Sequence, residues 1–74
     1  MRRGRLLPDA APNQGARRLR TIALRTKWER LEALTGINRD TLGRYARGVR
    51  HPAVEERVSL ENSLGIAAES WFLT

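Results

Sequence analysis

Residues 35–48 read TGINRDTLGRYARG, a sequence in which two helix boundaries stand close together. Gly36 is typical of a helix end, because glycine adopts the left-handed conformation that terminates a helix and turns the chain. Asn38 follows as a strong N-cap, so a new helix is expected to begin directly after it. The pattern therefore predicts a helix over residues 39–47 that ends at Gly48.

The helix predicted over residues 39–47 has two unlike faces. Leu42 and Tyr45, with Ala46 beside them, have the spacing of an apolar stripe that packs on a core. Asp40 stands in the first turn, where the helix dipole favours negative charge. The positions left to solvent are charged, apart from one glycine: Arg39, Asp40, Gly43, Arg44 and Arg47.

A second helix is predicted before this turn. Thr26 and Glu29 have the spacing of a capping box, in which two side chains satisfy free backbone amides. Apolar side chains then face inward at Trp28, Leu31 and Leu34. Two helices joined by a short glycine turn, the second one exposing arginines, have the helix-turn-helix geometry that fits the major groove of DNA.

The N-terminal part divides into an arm and a helix. Residues 1–15 have no usable period and predict a flexible basic arm that carries Arg2, Arg3 and Arg5. From there the apolar residues recur at helical spacing, at Ala16, Leu19, Ile22 and Ala23. Arginines occupy much of the remaining surface, at Arg17, Arg18, Arg20 and Arg25. Residues 16–74 are therefore expected to form the folded domain, beginning with an amphipathic helix.

The C-terminal part predicts two more helices. Pro52 suits the first turn of a fourth helix, which Gly65 closes. Its apolar positions are in approximate helical register: Val54, Val58, Leu60 or Glu61, and Leu64. Residues 67–73 predict a short fifth helix. Because no stretch alternates like a strand, the predicted fold class is all-α, a small bundle of four to five helices.

The composition of the 74 residues excludes several functions. Without cysteine there is no disulfide or thiolate chemistry, and His51 alone cannot form a metal centre. No cluster of catalytic side chains and no glycine-rich phosphate loop is present, so neither an enzyme nor a cofactor is expected. The chain also lacks the apolar run of a membrane span or signal peptide, and we expect a cytoplasmic protein.

The distribution of charge along the chain indicates the kind of partner. Residues 1–50 hold 13 basic and 4 acidic side chains, whereas residues 51–74 hold 1 and 4. Such segregation indicates a surface that meets a polyanion. Nearly all the basic residues are arginine, whose planar fork suits bidentate contacts with phosphate or guanine.

An ordered series of motif residues runs through residues 26–66. Its members are Leu31, Thr35-Gly36-Ile37, Asn38, Arg39, Leu42, Arg44-Tyr45 and Arg47-Gly48, followed by Arg50-His51-Pro52 and Ser63-Leu64-Gly65-Ile66. This series resembles the Cro and lambda-repressor family of bacterial and phage DNA-binding domains, also called the xenobiotic-response-element type. The resemblance implies a lambda-repressor-like fold in which residues 39–47 form the recognition helix.

The resemblance also implies which residues meet DNA. Those nearest the bases would be Asn38, Arg39, Asp40, Gly43 and Arg44. Arg39 and Arg44 are the expected base readers, because an arginine bidentate to guanine gives about 1–3 kcal/mol of discrimination. Asp40 could accept from a cytosine amino group, although helix capping is its favoured role. Gly43 either lets the backbone approach DNA closely or is simply tolerated.

Phosphate contacts are expected where the second helix begins, since free amides there can bind an anion. The residues assigned to phosphate are Lys27, Trp28, Thr41, Arg47, Arg50 and His51. For His51 a satisfied loop histidine before Pro52 is at least as favoured as a phosphate contact, and for Thr41 solvent exposure is an equal alternative. The arginines of the arm could follow the DNA backbone or enter a minor groove, or could remain solvated.

One such unit contacts little DNA, so a homodimer on a pseudo-palindromic site is expected. Four apolar residues either form the dimer contact or complete the core: Ile66, Trp71, Phe72 and Leu73. The predicted function is that of a sequence-specific, double-stranded DNA-binding transcriptional regulator of the phage or bacterial repressor type, which could also have a small protein partner. The alternatives are a non-specific RNA-binding or nucleoid-binding protein and a protein–protein adaptor.

Three features depart from the family pattern. Glu32 stands where the family usually has alanine, so its carboxylate must turn to solvent or pair with an arginine such as Arg39. The link between the first two helices is short, which predicts a rotated or even continuous first helix. Arg57 and Glu61 interrupt the apolar face predicted for the fourth helix.

Overall fold

A computed structural model describes residues 13–74. The elements in chain order are α1 Gln14–Ala23, α2 Trp28–Thr35, α3 Arg39–Arg47, α4 Val54–Leu64 and the short 3₁₀ helix η1 Ala68–Phe72. No residue of this described part lies in a strand, so the all-α class is confirmed. None of its helices has the length and apolar character needed to cross a membrane.

All five elements contribute to one core, in which α1 packs on α3 and η1, and α2 packs on α3 and α4. Its buried apolar residues are Ala16, Leu19, Leu31, Ile37, Leu42, Tyr45, Ala46, Leu60, Ile66 and Trp71. Full burial of a large apolar side chain contributes about 1.5–3 kcal/mol before the entropy of ordering is counted. A domain this small therefore depends on each of these side chains.

The first helix begins earlier than predicted. Asn13 is the N-cap of α1, and its Oδ1 accepts a hydrogen bond from the Ala16 N–H at 2.6 Å. The Gln14 N–H donates to the Leu73 carbonyl at 2.8 Å, which ties this start to η1. Residues 13–15 thus belong to the folded part, and the predicted arm boundary is too late. The predicted arm residues Arg2, Arg3 and Arg5 lie outside the described residues.

Trp71 accounts for the glycine in the first turn of α1. A Cβ added at Gly15 would lie 2.7 Å from Cε2 and Cε3 of Trp71, and closer still to Cδ2. The backbone of α1 therefore lies directly against the indole. The same indole meets Tyr45 of α3 edge to face, with ring centroids 6.2 Å apart. Trp71 thus joins η1 to both α1 and α3.

The capping box predicted for α2 is wrong. The helix begins at Trp28 with Lys27 as its N-cap, and no side chain caps it. The Thr26 N–H instead donates to the Ile22 carbonyl at 3.0 Å. Because the link between α1 and α2 is only residues 24–27, Thr26 is used in the turn that ends α1. That turn also means that the two helices are not continuous.

Three positions predicted to face inward are exposed: Leu34 at 46%, Val54 at 63% and Val58 at 48%. The orientation of α4 explains the last two. The Ser59 hydroxyl donates to the Thr35 carbonyl at 2.7 Å, and this contact sets the side of α4 that meets α2. Leu60, the next residue, is then fully buried in the core.

The predicted dimer contact is wrong for two of its four residues. Ile66 and Trp71 are completely buried within the chain, so they complete the core and offer no surface to a second copy. Phe72 and Leu73 are exposed. The predicted fifth helix over residues 67–73 is the shorter η1, and its 3₁₀ winding places Trp71 inside while Phe72 stays outside.

Gly15→Ala should destabilise the protein, although alanine favours a helix by about 1 kcal/mol. The added methyl would overlap Trp71, and overpacking of this kind costs about 1–3 kcal/mol. Gly43→Ala is the matched control, because its new Cβ would meet only the flexible end of Arg47, at 3.4 Å. Urea unfolding should give a lower midpoint for the first variant and an equal or higher one for the second. A stabilised Gly15→Ala variant would contradict the packing of α1 on Trp71.

Candidate nucleic-acid interface

Both ends of α3 are set by residues that the sequence predicts. Gly36 lies between α2 and α3 with φ at 74°, and Gly48 ends α3 with φ at 75°. Asn38 is the N-cap, and its Oδ1 accepts from the Asp40 N–H at 2.8 Å. The predicted bounds of this helix are therefore confirmed, as is the burial of its apolar stripe.

Tyr45 anchors α3 from the buried side. Its hydroxyl donates to Glu56 Oε1 at 2.8 Å. The same carboxylate oxygen accepts from the Ala53 N–H at 3.0 Å, at the start of α4. Because Leu42 and Ala46 are buried on the same side of α3, the helix is held against rotation about its axis.

Two serine hydroxyls hold α2 to α4. Ser59 donates to the Thr35 carbonyl at 2.7 Å, and Ser63 donates to the Leu34 carbonyl at 2.9 Å. Both carbonyls belong to the last turn of α2, where they have no partner within the helix. The contacts therefore fix the end of α2 from which the chain turns into α3.

The bond between Tyr45 and Glu56 shifts the pKa of each partner. Burial, followed by the hydrogen bond to Glu56, raises the pKa of Tyr45 to about 12. The bond from Tyr45, followed by the bond from the Ala53 N–H, lowers the pKa of Glu56 below its ordinary value of 4.5. At neutral pH the pair is thus a phenol and a carboxylate, the states in which this bond is strong.

The opposite face of α3 is exposed and basic. Together with the first residue of α2, it lines a shallow depression of about 340 Å³, formed by Trp28, Arg39, Asp40, Gly43, Arg44 and Arg47. Four of the five residues predicted to read bases lie here. The fifth, Asn38, is exposed next to them and serves as the helix cap.

The Trp28 side chain is the part of this surface that the sequence did not predict. The sequence assigns its backbone amide to phosphate and its indole to the core. The indole is only partly buried against the core, and it also forms a wall of the depression. Its position as the first residue of α2 is the available signal, because a large ring at a helix end can cover the core and a neighbouring helix together.

Arg39 is linked to α2 across the turn. Glu32 Oε1 lies 3.8 Å from Arg39 Nε, and Glu32 Oε2 accepts a hydrogen bond from the Arg39 N–H at 3.4 Å. Of the two arrangements predicted for this carboxylate, pairing with an arginine is confirmed. Asp40 is the other acidic side chain at this end of α3, and it is exposed.

The predicted phosphate-contacting residues differ in their position relative to the depression. Trp28 and Arg47 line the depression, and the exposed Lys27 directly precedes α2. Thr41 is partly buried on α3. Arg50 is exposed in the loop after α3, beyond the residues that line the depression.

His51 is exposed in the loop before α4 and contacts η1. Its ring stacks on Phe72 with centroids 5.8 Å apart and planes inclined by 21°. The Arg57 guanidinium lies 4.8 Å from the centroid of the same Phe72 ring and donates to the Pro52 carbonyl at 2.7 Å. The phosphate role of His51 therefore stays a prediction, and Arg57, which interrupts the apolar face of α4, contacts one side of the exposed Phe72 ring.

Comparison of the chain with protein-family models, curated proteins and solved structures finds no match. The family resemblance drawn from the motif residues therefore stays a prediction.

Tyr45→Phe should lower the free energy of unfolding by about 1.5–3 kcal/mol near neutral pH, because it removes one hydrogen bond to a charged group and keeps the ring. The loss should depend on pH. Since the pKa of Glu56 is lowered, its contribution is present above 4.5 and is lost as pH falls through the lowered value. Since the pKa of Tyr45 is raised, its contribution is present below 10.0 and is lost as pH rises toward about 12.

Urea unfolding of both proteins across this pH range measures the effect. The difference in stability between wild type and variant should be largest near neutrality and smaller at both extremes. A difference that stays constant with pH would contradict a bond between phenol and carboxylate.

Proposed function

We propose that the protein is a sequence-specific transcriptional regulator that binds double-stranded DNA through α3. The observation that carries the proposal is the contrast between the two sides of this helix. Leu42 and Tyr45 anchor one side in the core, while the other side presents three arginines to solvent around a shallow depression. Arginines held in this way suit fork contacts with guanine and with phosphate.

The size of α3 supports a major-groove position. A helix is about 10–12 Å in diameter with its side chains, which fits a groove about 12 Å wide, and the nine residues of α3 extend about 13.5 Å along it. In this proposal α2, the short connection and α3 act as a helix-turn-helix, with α2 crossing the DNA backbone. The resemblance to the Cro and lambda-repressor family agrees with this interpretation.

The proposal assigns residues to the contacts with DNA bases and with phosphates. Arg39 and Arg44 read base edges, and Gly43 allows the backbone of α3 to approach the bases. Lys27 and the first-turn amides of α2 bind a phosphate. Because no side chain caps α2, no capping group competes with a phosphate for those amides. Arg47 adds positive charge at the other end of α3.

Dimer formation is part of the proposal. Phe72 and Leu73 are exposed beside one another, with Phe72 at 64%, and provide an apolar contact for a second copy. The acidic first turn of α4, with Glu55 and Glu56, is suited to a position away from phosphate. Two copies would then place two α3 helices on one pseudo-palindromic site.

Sequence-independent nucleic-acid binding is the second candidate, and α1 favours it. Residues 14–25 hold four arginines and no acidic residue. Three of these arginines are exposed: Arg17, Arg18 and Arg25. Charge without base contacts would give an affinity that falls steeply with salt and does not depend on sequence.

Selection of bound sites from random duplex DNA separates the two candidates. The regulator should recover a symmetric site whose half-sites are centred about 34–36 Å apart, or a multiple of that spacing. Recovery of unrelated sequences, with an affinity set by salt alone, would favour the second candidate.

Arg44→Ala should weaken binding to the selected site by about 5- to 150-fold and binding to random DNA much less, because it removes a base contact. Lys27→Ala is the comparison for a phosphate contact. It should weaken all duplexes about equally and reduce the salt slope by about one. Fluorescence anisotropy at several salt concentrations measures both. Equal losses on every duplex for both variants would contradict the assignment of Arg44 as a base reader.

Gly43→Ala should reduce affinity for the selected site by about tenfold, which corresponds to about 1.4 kcal/mol, without loss of stability. The added methyl would keep the backbone of α3 away from the bases. Affinity for random DNA should change less, because phosphate contacts dominate there. A well-folded variant with unchanged site affinity would contradict close approach at Gly43.

A further inference from the structure

Glu32 places a second carboxylate, besides that of Asp40, next to the arginines of α3. The residue is partly buried, and its side chain bridges α2 and the first residue of α3. One oxygen lies 3.8 Å from Arg39 Nε, and the other accepts from the Arg39 N–H at 3.4 Å. A negative charge here opposes binding to any polyanion. The contacts that hold Glu32 at this position therefore require a functional explanation.

We propose that Glu32 is a specificity-determining residue, which positions Arg39 for a base and disfavours DNA that offers only phosphate. The inference rests on the proposed function, because it assigns Glu32 a part in the same interface. It has two components, one that acts on the Arg39 side chain and one that acts on the first turn of α3.

The first component is positioning. An arginine carries five N–H donors in a rigid fork, and Glu32 contacts that fork at Nε. The terminal amino groups of Arg39 stay outside this contact and can meet the two acceptors of a guanine. A side chain that is already oriented loses less conformational freedom on binding, which favours the partner that fits this orientation.

The second component is exclusion of phosphate from the start of α3. The first-turn amides of a helix are a natural anion site when they are free. Here the Arg39 N–H is bonded to Glu32, and the Asp40 N–H is bonded to Asn38. An incoming phosphate would have to displace the carboxylate and would meet its charge. Random DNA therefore cannot place a phosphate on the first-turn amides of α3. Binding of the correct base does not use these amides, so it is not weakened.

The test compares Glu32→Gln with Glu29→Gln. Both substitutions remove one negative charge from the same side of α2, and Glu29 is exposed in the first turn, one helical turn before Glu32. Affinities for the selected duplex and for a random duplex are measured by anisotropy over a range of salt. Thermal melting of both variants verifies that they fold.

Glu32→Gln should raise affinity for random DNA by about 2- to 5-fold, the effect of one exposed ion pair, with no gain on the selected site. The preference for the selected site then falls by the same factor. Glu29→Gln should raise both affinities equally and leave the preference unchanged. The proposal is overturned if Glu32→Gln leaves the ratio of selected-site affinity to random-DNA affinity unchanged, or if both variants change this ratio equally.

Nitrogen-15 spectra of the free protein give a readout that needs no DNA. The Arg39 Nε–H signal should move and exchange faster with water in Glu32→Gln and stay unchanged in Glu29→Gln. An unaffected signal in Glu32→Gln would overturn the positioning component. If the wild type prefers no duplex, the proposed function fails and this inference fails with it, whereas an existing preference that Glu32→Gln leaves intact overturns this inference alone.

Discussion

The hydroxyl of Tyr45 fixes the side of α3 that solvent meets. A helix of nine residues is marginal by itself, so its position depends on tertiary contacts more than on propensity. Packing of Leu42 and Ala46 alone would leave freedom to roll, since apolar contacts are not directional. The directional bond to Glu56, which is also held by the Ala53 N–H, removes that freedom. The basic side of α3 is exposed as a result.

The remaining contacts support this arrangement from the other helices. Trp71 lies against the backbone of α1 at Gly15 and against the Tyr45 ring, so one indole joins η1 to two helices. The serine hydroxyls of α4 hold the end of α2 in the same way. The small core thus mainly fixes the position of α3. The surface that α3 exposes is the basis of the proposed DNA binding.

Local signals made α3 predictable, and long-range contacts limited the rest. Asn38 and the two glycines act within a few residues, so the sequence sufficed for the bounds of α3. Thr26 can serve a cap or a turn equally well, and only the length of the link decides between them. The exposure of Val58 depends on Ser59 reaching Thr35, a contact between distant parts of the chain. For the same reason the sequence could not separate core from dimer surface for Ile66 and Trp71, nor place the Trp28 indole beside α3.

The central claim is that DNA meets the exposed side of α3. Titration of nitrogen-15-labelled protein with its selected duplex, followed through the arginine Nε–H signals, tests this most directly. The account predicts large changes for the arginines that line the depression, Arg39, Arg44 and Arg47, and small ones on the outer face of α1. Changes confined to Arg17, Arg18 and Arg25 of α1, with the α3 arginines unaffected, would contradict it.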